Sequence, residues 1–290
     1  MAALAWLEPL WAFSFMQRAL LGCVLLSLSA APVGVFLMLR RMSLTGDAMA
    51  HAILPGAAVG FLISGLSLGA MTLGGIVAGL VVAVASGLVA RSTVLREDTS
   101  LAAFYLLSLA LGVLIISTYG SQVDLLHVLF GTVLALDDAA LALLLGIALI
   151  TLLAMRLLYR ALVLECLDPD FLRAHSPRWS ALAHYGFLVL VVINLVAGFH
   201  ALGTLMAVAI MVLPAAAARF WVRRIGSLLW LAPALALLCC VAGLLLSYHA
   251  DWPTSPAIVI ALGALWLLSM ILGRFGVWRQ RSVSAVHLKG

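Results

Sequence analysis

The chain has 290 residues, of which 66% are hydrophobic and 9% charged, and its formal net charge is +5. Soluble domains carry about a quarter charged residues, so this chain lacks the polar side chains needed to cover a water-facing surface. The composition therefore excludes a soluble domain and predicts an all-α, polytopic membrane protein. The basic excess is nearly all arginine, and its placement indicates membrane topology and not a nucleic-acid partner.

The N-terminal segment, residues 1–13, is predicted to lie at the membrane interface. It has no basic region of the kind that begins a cleavable signal peptide, and it contains Glu8 and Pro9. Trp6 and Trp11 are aromatic side chains of the type that concentrates at membrane–water boundaries. We therefore expect the first span to follow this segment.

The apolar runs predict about eight or nine membrane-spanning helices, since a bilayer crossing takes about 20 residues. The runs lie at residues 14–39, 46–64, 68–90, 99–118, 138–156, 180–198, 202–220, 227–247 and 256–273. With the N-terminus outside, alternation places every Lys and Arg except Arg18 on the cytoplasmic side. Because positive residues prefer that side, the bias predicts this orientation and a cytoplasmic tail at 275–290.

Two connections between the spans are long. The outer one, 119–138, is predicted to contain a short interfacial or re-entrant helix. Its Asp124 and His127 are candidates for a metal entrance or gate, and a solvated interfacial role is the alternative. The inner connection, 159–178, is predicted to be the largest cytoplasmic segment.

Within the inner connection, one stretch predicts a short helix exposed beneath the bundle. Asp168 suits the N-cap of this helix, and Pro169 suits its first position. Such a helix is a candidate docking point for a partner. The stretch consists of Asp168, Pro169, Asp170, Phe171, Leu172, Arg173 and Ala174.

The second apolar run carries an aspartate and a histidine one helical turn apart. Asp47 and His51 are four residues apart, so a helix places their side chains on one face. Pro55 has no N–H and leaves the His51 carbonyl without its helical partner. Ionisable groups at membrane depth cost about 2.5–3.5 kcal/mol each on an insertion scale, so function is the default hypothesis. Because these ligands suit Zn²⁺, Mn²⁺ and Fe²⁺, we predict a metal path here.

Each of these residues also has a plainer interpretation. Ser43 or Thr45 could cap the helix and place Asp47 in its first turn, where the helix dipole favours a carboxylate. His51 could instead bond a neighbouring helix. Two side chains make an incomplete ligand shell, which suits an ion in transit better than a structural zinc site with four ligands.

A second proline segment resembles the first. Residues 211–217 are similar to residues 52–58, and Pro214 and Pro55 are both predicted helix breaks. Interrupted helices in corresponding halves often mark a transport path. Chance similarity between helices rich in Ala and Leu is the alternative.

Four further polar residues are weaker candidates. His249 and Asp251 lie in the last outer loop, where they could meet a metal-delivering partner as part of an entrance or gate, or simply be exposed. His175 and His184 flank the inner connection and are predicted to be surface groups.

Glycine is frequent in the third run, as in residues 73–79. Small residues let helices approach closely in lipid. Packing within one chain and a dimer interface both fit this pattern.

The chain has no G-x-x-x-x-G-K-[ST] motif and no H-E-x-x-H motif. We therefore expect that it is not an enzyme, does not hydrolyse ATP itself and binds no permanent cofactor.

The motif around the acidic and histidine pair, residues 38–56, resembles the signature of the ABC-3 family, the zinc, manganese and iron permeases of ATP-binding-cassette importers. Other stretches resemble family motifs in the same order. They are residues 95–99, 129–135, 202–207 and the proline-rich stretch 251–256.

This resemblance implies a single transmembrane permease domain over residues 1–290, with a type II-like importer fold and a homodimeric assembly. It implies a bacterial inner-membrane location with the C-terminus in the cytoplasm. The implied partners are a cytoplasmic ABC ATPase, an extracytoplasmic metal-binding protein and a second copy of the chain.

The family's G-D-A-x-x-H motif falls on Asp47 and His51. Its coupling segment falls on residues 167–177, where Ser176 stands near the position of an expected glycine. Thr254–Ser255 also replaces a glycine that is usual in the last motif. These departures concern the geometry of docking and of the outer gate.

We therefore expect the membrane subunit of an ATP-driven importer, with Zn²⁺ as the first choice of transported ion. Manganese or iron import by the same mechanism is the alternative. A proton-coupled carrier that acts without an ATPase is the competing class.

Overall fold

Helices account for all regular secondary structure in residues 8–65, 67–94, 97–119 and 136–278, which are the residues that this computed structural model describes. The all-α prediction is therefore confirmed. The helices are α1 (Pro9–Ala12), α2 (Ser14–Leu39), α3 (Ser43–Ala52), α4 (Leu54–Ser64), α5 (Leu68–Ser92), α6 (Glu97–Tyr119), α7 (Asp138–Leu167), α8 (Pro169–His175), α9 (Pro177–Leu202), α10 (Thr204–Arg219), α11 (Ile225–Ala250) and α12 (Thr254–Leu272).

Eight helical segments in the described parts of the chain are long and apolar enough to cross a membrane, with α3 and α4 together forming one of them. The remaining apolar helix, α10, has 16 residues. At 1.5 Å per residue it is about 24 Å long, which is shorter than the roughly 30 Å hydrocarbon core. The predicted eight or nine spans agree with this architecture.

The centre of the bundle is α2, whose C-terminal half is buried on all sides. Residues 29–37 are all buried. Gly34 has no room for a side chain, because a Cβ there would overlap the carbonyl oxygen of Met211 in α10. The backbones of α2 and α10 are therefore in contact, as small residues permit.

A tight turn at Arg41 connects α2 to α3. Arg41 adopts a left-handed conformation with φ 59°. The Arg41 N–H donates to the Met38 carbonyl at 3.1 Å, and the Met42 N–H donates to the Leu37 carbonyl at 2.9 Å. These two bonds form a Schellman motif, which usually has glycine at the left-handed position. The turn lets α3 begin immediately, at Ser43.

The second predicted span is interrupted. It begins at Ser43 and breaks at Ile53, after which α4 begins with Pro55 in its first turn. A carbonyl at the break is satisfied from another helix, because the Ser108 hydroxyl of α6 donates to the Ala52 oxygen at 2.9 Å. The polar backbone at this break is thus compensated within the bundle.

The predicted span 138–156 is too short, because α7 continues to Leu167. Arg156 and Arg160 are exposed on this helix, whereas Ala161 and Leu162 are buried on its packed side. Long arginine side chains can reach water from a helix surface, so they do not end the helix. Most of the predicted cytoplasmic loop is therefore helical.

Pro214 was expected to break its helix, yet α10 runs through Pro214 to Arg219. Proline removes one backbone hydrogen bond, and helices packed in a bundle tolerate that loss. Pro214 is itself buried, and α10 packs against α2, α9, α11 and α12. The two proline segments consequently differ in structure.

Candidate metal path

A groove of about 510 Å³ lies between α3 and α10. Among the described residues that line it, only Asp47 and His51 are ionisable, and most of the others are apolar. The lining residues are Ser43, Leu44, Asp47, Ala50 and His51 from α3, and Thr204, Leu205, Val208, Ala209, Val212 and Leu213 from α10. The predicted pair therefore opens into one shared cavity.

Asp47 and His51 face each other across one helical turn. The His51 Nε2 atom lies 3.8 Å from the Asp47 Oδ1 atom, which is too long for a hydrogen bond. A single ion about 2.1 Å from each atom fits between them. The side chains are 64% exposed for Asp47 and 31% exposed for His51, so both are accessible from the groove.

Packing fixes the orientation of the His51 ring. The ring lies against Tyr105 of α6, with centroids 6.3 Å apart and planes at 30°. Its Nδ1 atom is buried and has no hydrogen-bond partner among the described residues. The alternative in which His51 bonds a neighbouring helix gains no support from this arrangement.

The helix-capping alternative for Asp47 is not supported either. Asp47 lies beyond the first turn of α3, and neither Ser43 nor Thr45 acts as the N-cap. Met42 occupies the N-cap position and no side chain caps the helix; instead, the Thr45 N–H donates to the Met42 carbonyl at 2.9 Å. A favourable interaction with the helix dipole at the first turn therefore does not explain why Asp47 occurs at this position.

The other predicted metal residues lie elsewhere. Asp124 and His127 fall outside the described residues. His249 and Asp251 are exposed near the end of α11 and do not line the groove. Asp251 has φ 51° and terminates α11, where the Trp252 N–H donates to the Ser247 carbonyl at 3.2 Å.

The short helix predicted at 168–174 is confirmed as α8. The Asp168 carboxylate accepts a hydrogen bond of 2.9 Å from the Phe171 N–H, and Pro169 begins the helix. Ser176, where the family pattern has a glycine nearby, has φ −149°, a negative value that does not require glycine. Phe171 is an exposed apolar side chain on α8.

Three buried polar residues were missed or misplaced by sequence reasoning. Arg40 Nη2 lies 3.3 Å from Glu165 Oε1, and His184 Nδ1 lies 3.5 Å from the same oxygen. The prediction that His184 is a surface group is wrong, since its side chain is only 9% exposed. The available signal was Glu165, a lone carboxylate near the end of an apolar helix.

A bundle of apolar helices long enough to cross a membrane, with an acid and an imidazole opening into one groove, is the arrangement expected of a polytopic membrane transport protein. Residues 12–273 match the ABC 3 transport family. The chain therefore belongs to this family, and it is a permease of the ATP-binding-cassette importer type.

Named relatives extend over nearly the whole chain. The manganese import system permease protein ScaB of Streptococcus parasanguinis is 32% identical over 267 residues, covering 92% of this chain and 93% of the relative. The chelated iron transport system membrane protein YfeD of Yersinia pestis is 31% identical over 278 residues, covering 96% and 91%. Among solved structures, PsaBC from Streptococcus pneumoniae in complex with Fab matches with a TM-score of 0.84, 30% identity and full coverage of both chains.

Proposed function

We propose that this chain is the membrane-spanning subunit of an ATP-driven manganese importer. It would receive Mn²⁺ from an extracytoplasmic binding protein and pass it through a pore formed with a second copy of itself. The observation that carries this proposal is the pair Asp47 and His51, which opens into the groove between α3 and α10. The orientation would be that of a bacterial inner-membrane protein with a cytoplasmic C-terminus.

Manganese replaces zinc as the first choice of ion. Histidine usage favoured zinc, but a carboxylate and an imidazole also suit Mn²⁺ and Fe²⁺. The relatives described above are named for manganese and for iron. Iron import by the same route is therefore the second candidate.

A second copy would complete the ligand shell. Asp47 and His51 supply two ligand atoms, whereas a closed site for a first-row divalent ion uses four or more. Pairing two copies about a two-fold axis that passes by this groove would present the same two residues twice. The open, mostly apolar groove is suited to such a contact.

A separate subunit would supply the energy. The chain contains no phosphate-binding loop motif, so ATP hydrolysis is assigned to an ABC ATPase partner. Its docking element would be α8, the predicted coupling segment, whose Phe171 is exposed. Movement of α8 would then switch the groove between outward and inward access.

The test is Mn²⁺ uptake into liposomes that contain the chain with its ATPase and binding protein. Asp47→Ala and His51→Ala should each reduce ATP-dependent uptake about tenfold or more, because each removes a ligand. Leu145→Ala, which shortens an exposed apolar side chain of α7 outside the groove lining, should leave uptake unchanged. Normal uptake by the Asp47 and His51 variants at normal protein levels would remove both residues from the path.

The competing carrier class is tested in the same system. Liposomes that contain the chain without its ATPase should show no uptake driven by a proton gradient. Uptake under those conditions would favour a stand-alone proton-coupled carrier.

A further inference from the structure

The end of the bundle that holds α8 contains a buried cluster of charged side chains. Arg40 and Glu165 form an ion pair at 3.3 Å, and each side chain is only 6% exposed. His184 approaches the same carboxylate oxygen at 3.5 Å. The Arg40 guanidinium also lies over the Phe187 ring, 4.5 Å from its centroid. The cluster thus joins three helices, α2, α7 and α9, at one point.

The polar atoms of this cluster are incompletely satisfied. Within the described parts of the chain, Arg40 Nε and Nη2 and Glu165 Oε2 are buried without a geometrically sound hydrogen bond. A buried ion pair stabilises a fold only when its geometry is good and its remaining hydrogen bonds are made. Stability alone is therefore a weak explanation for charges at this position.

The position of the cluster along the chain indicates what it connects. Glu165 lies near the end of α7, immediately before Asp168 caps α8, and His184 lies in the helix that follows α8. Arg40 ends α2 and directly precedes the turn into α3, which carries Asp47. α8 contacts both α7 and α9, the two helices whose side chains contact Arg40, and a short turn connects Arg40 to α3.

We infer that Arg40, Glu165 and His184 are positioning residues that transmit movement of α8 to α3, and so to Asp47 and His51. This inference rests on the proposed function. Charge attraction between groups this close falls off with distance and is strong where water is excluded, so the pair resists separation when α7 and α9 move. The cluster supplies a contiguous physical link between the two sites.

The experiment measures Mn²⁺ ions transported per ATP hydrolysed by the reconstituted complex of chain, ATPase and binding protein. The double variant Arg40→Met with Glu165→Met replaces both members of the ion pair by apolar side chains of similar volume, so neither is left as an unpaired charge. We expect ATP hydrolysis to continue while the ratio of ions to ATP falls about fivefold or more, the lower range of coupling effects. The thermal stability of the variant should remain close to that of the original chain.

A second ion pair provides the matched control. Arg18 and Asp138 lie 2.9 Å apart and are exposed, and Arg18→Met with Asp138→Met should leave the ratio unchanged. If the apolar Arg40 and Glu165 variant does not accumulate in the membrane, the ratio is measured for Arg40→Gln with Glu165→Gln, whose amides can pair with each other.

An unchanged ratio in whichever double variant folds would overturn the inference and leave the proposed function intact. Failure of the original complex to move Mn²⁺ with ATP would instead overturn the proposed function, and the inference with it.

Discussion

The backbones of Gly56 and Gly74 are in direct contact, since a Cβ on either residue would overlap the carbonyl oxygen of the other. Gly56 follows Pro55 in α4, and Gly74 lies in α5. Gly75 lies against Ile53, the residue at the break between α3 and α4. The glycines of this run therefore pack against their own chain, which is the plainer of the two interpretations of residues 73–79.

Gly74→Ala is expected to destabilise the chain by about 1–3 kcal/mol, because the added methyl group has no space against α4. The measurement is the thermal unfolding temperature of the purified chain in detergent. Gly69→Ala in the same helix is the control, because nothing lies within 4 Å of a Cβ placed there. Equal unfolding temperatures for the two variants would contradict the close contact.

The role of the Ser108 hydroxyl at the break between α3 and α4 can also be tested. Ser108→Ala leaves the buried Ala52 carbonyl without its donor from α6, which we expect to cost about 1–3 kcal/mol and to lower the unfolding temperature. Thr118→Val removes an exposed hydroxyl that bonds its own helix at Leu114, and should have little effect. The prediction fails if the two substitutions lower the unfolding temperature equally.

The sequence predicted the spans well and their ends poorly, for a physical reason. Crossing a bilayer requires a minimum length of apolar chain, and composition reveals that length directly. The end of a helix depends on packing, so α7 passes Arg156 and Arg160 and stops only before Asp168. The span is interrupted next to Pro55, whereas α10 continues through Pro214. The packing around each proline determines whether the lost hydrogen bond ends the helix.

The candidate site was likewise only half accessible to sequence reasoning. The four-residue spacing alone places Asp47 and His51 on one face, because both residues lie on the same helix and its geometry sets their relative positions. The other wall of the groove, α10, is distant in the chain. The similarity of residues 211–217 to residues 52–58 indicated this helix, but not which of its side chains line the groove. His184 was misplaced for a related reason: α9 is apolar around most of its circumference, so periodicity does not identify its buried side.

Filling the groove should block transport without unfolding the chain. Leu205 lines the groove and is 43% exposed, so Leu205→Trp is expected to project into the cavity. We expect Mn²⁺ uptake to slow by about tenfold, equivalent to ~1.4 kcal/mol in the barrier. Leu145→Trp, at a 48% exposed position of α7 outside the groove lining, is the control. Similar uptake by both variants would indicate that the groove is not part of the transport path.

The N-cap of α8 allows coupling to be distinguished from simple stability. Asp168→Ala removes the cap on Phe171, and Asp137→Ala removes the equivalent cap on Ala140 at the start of α7. Each loss should cost about 1 kcal/mol in helix stability. Only Asp168→Ala is expected to lower ATPase-coupled uptake, because only α8 is the proposed docking helix. A similar loss of uptake in both variants would indicate a general stability effect.

The turn between α11 and α12 contains a carboxylate whose two interpretations make opposite predictions. Asp251 has a left-handed backbone with φ 51°, a conformation that glycine adopts freely and β-branched residues resist. If Asp251 serves the turn, Asp251→Gly should keep both the unfolding temperature and Mn²⁺ uptake, whereas Asp251→Val should cost about 1 kcal/mol or more. If Asp251 instead belongs to a metal entrance, Asp251→Gly should slow uptake at an unchanged unfolding temperature. We expect the first outcome, because Asp251 lies outside the groove lining and the turn it occupies already explains its position.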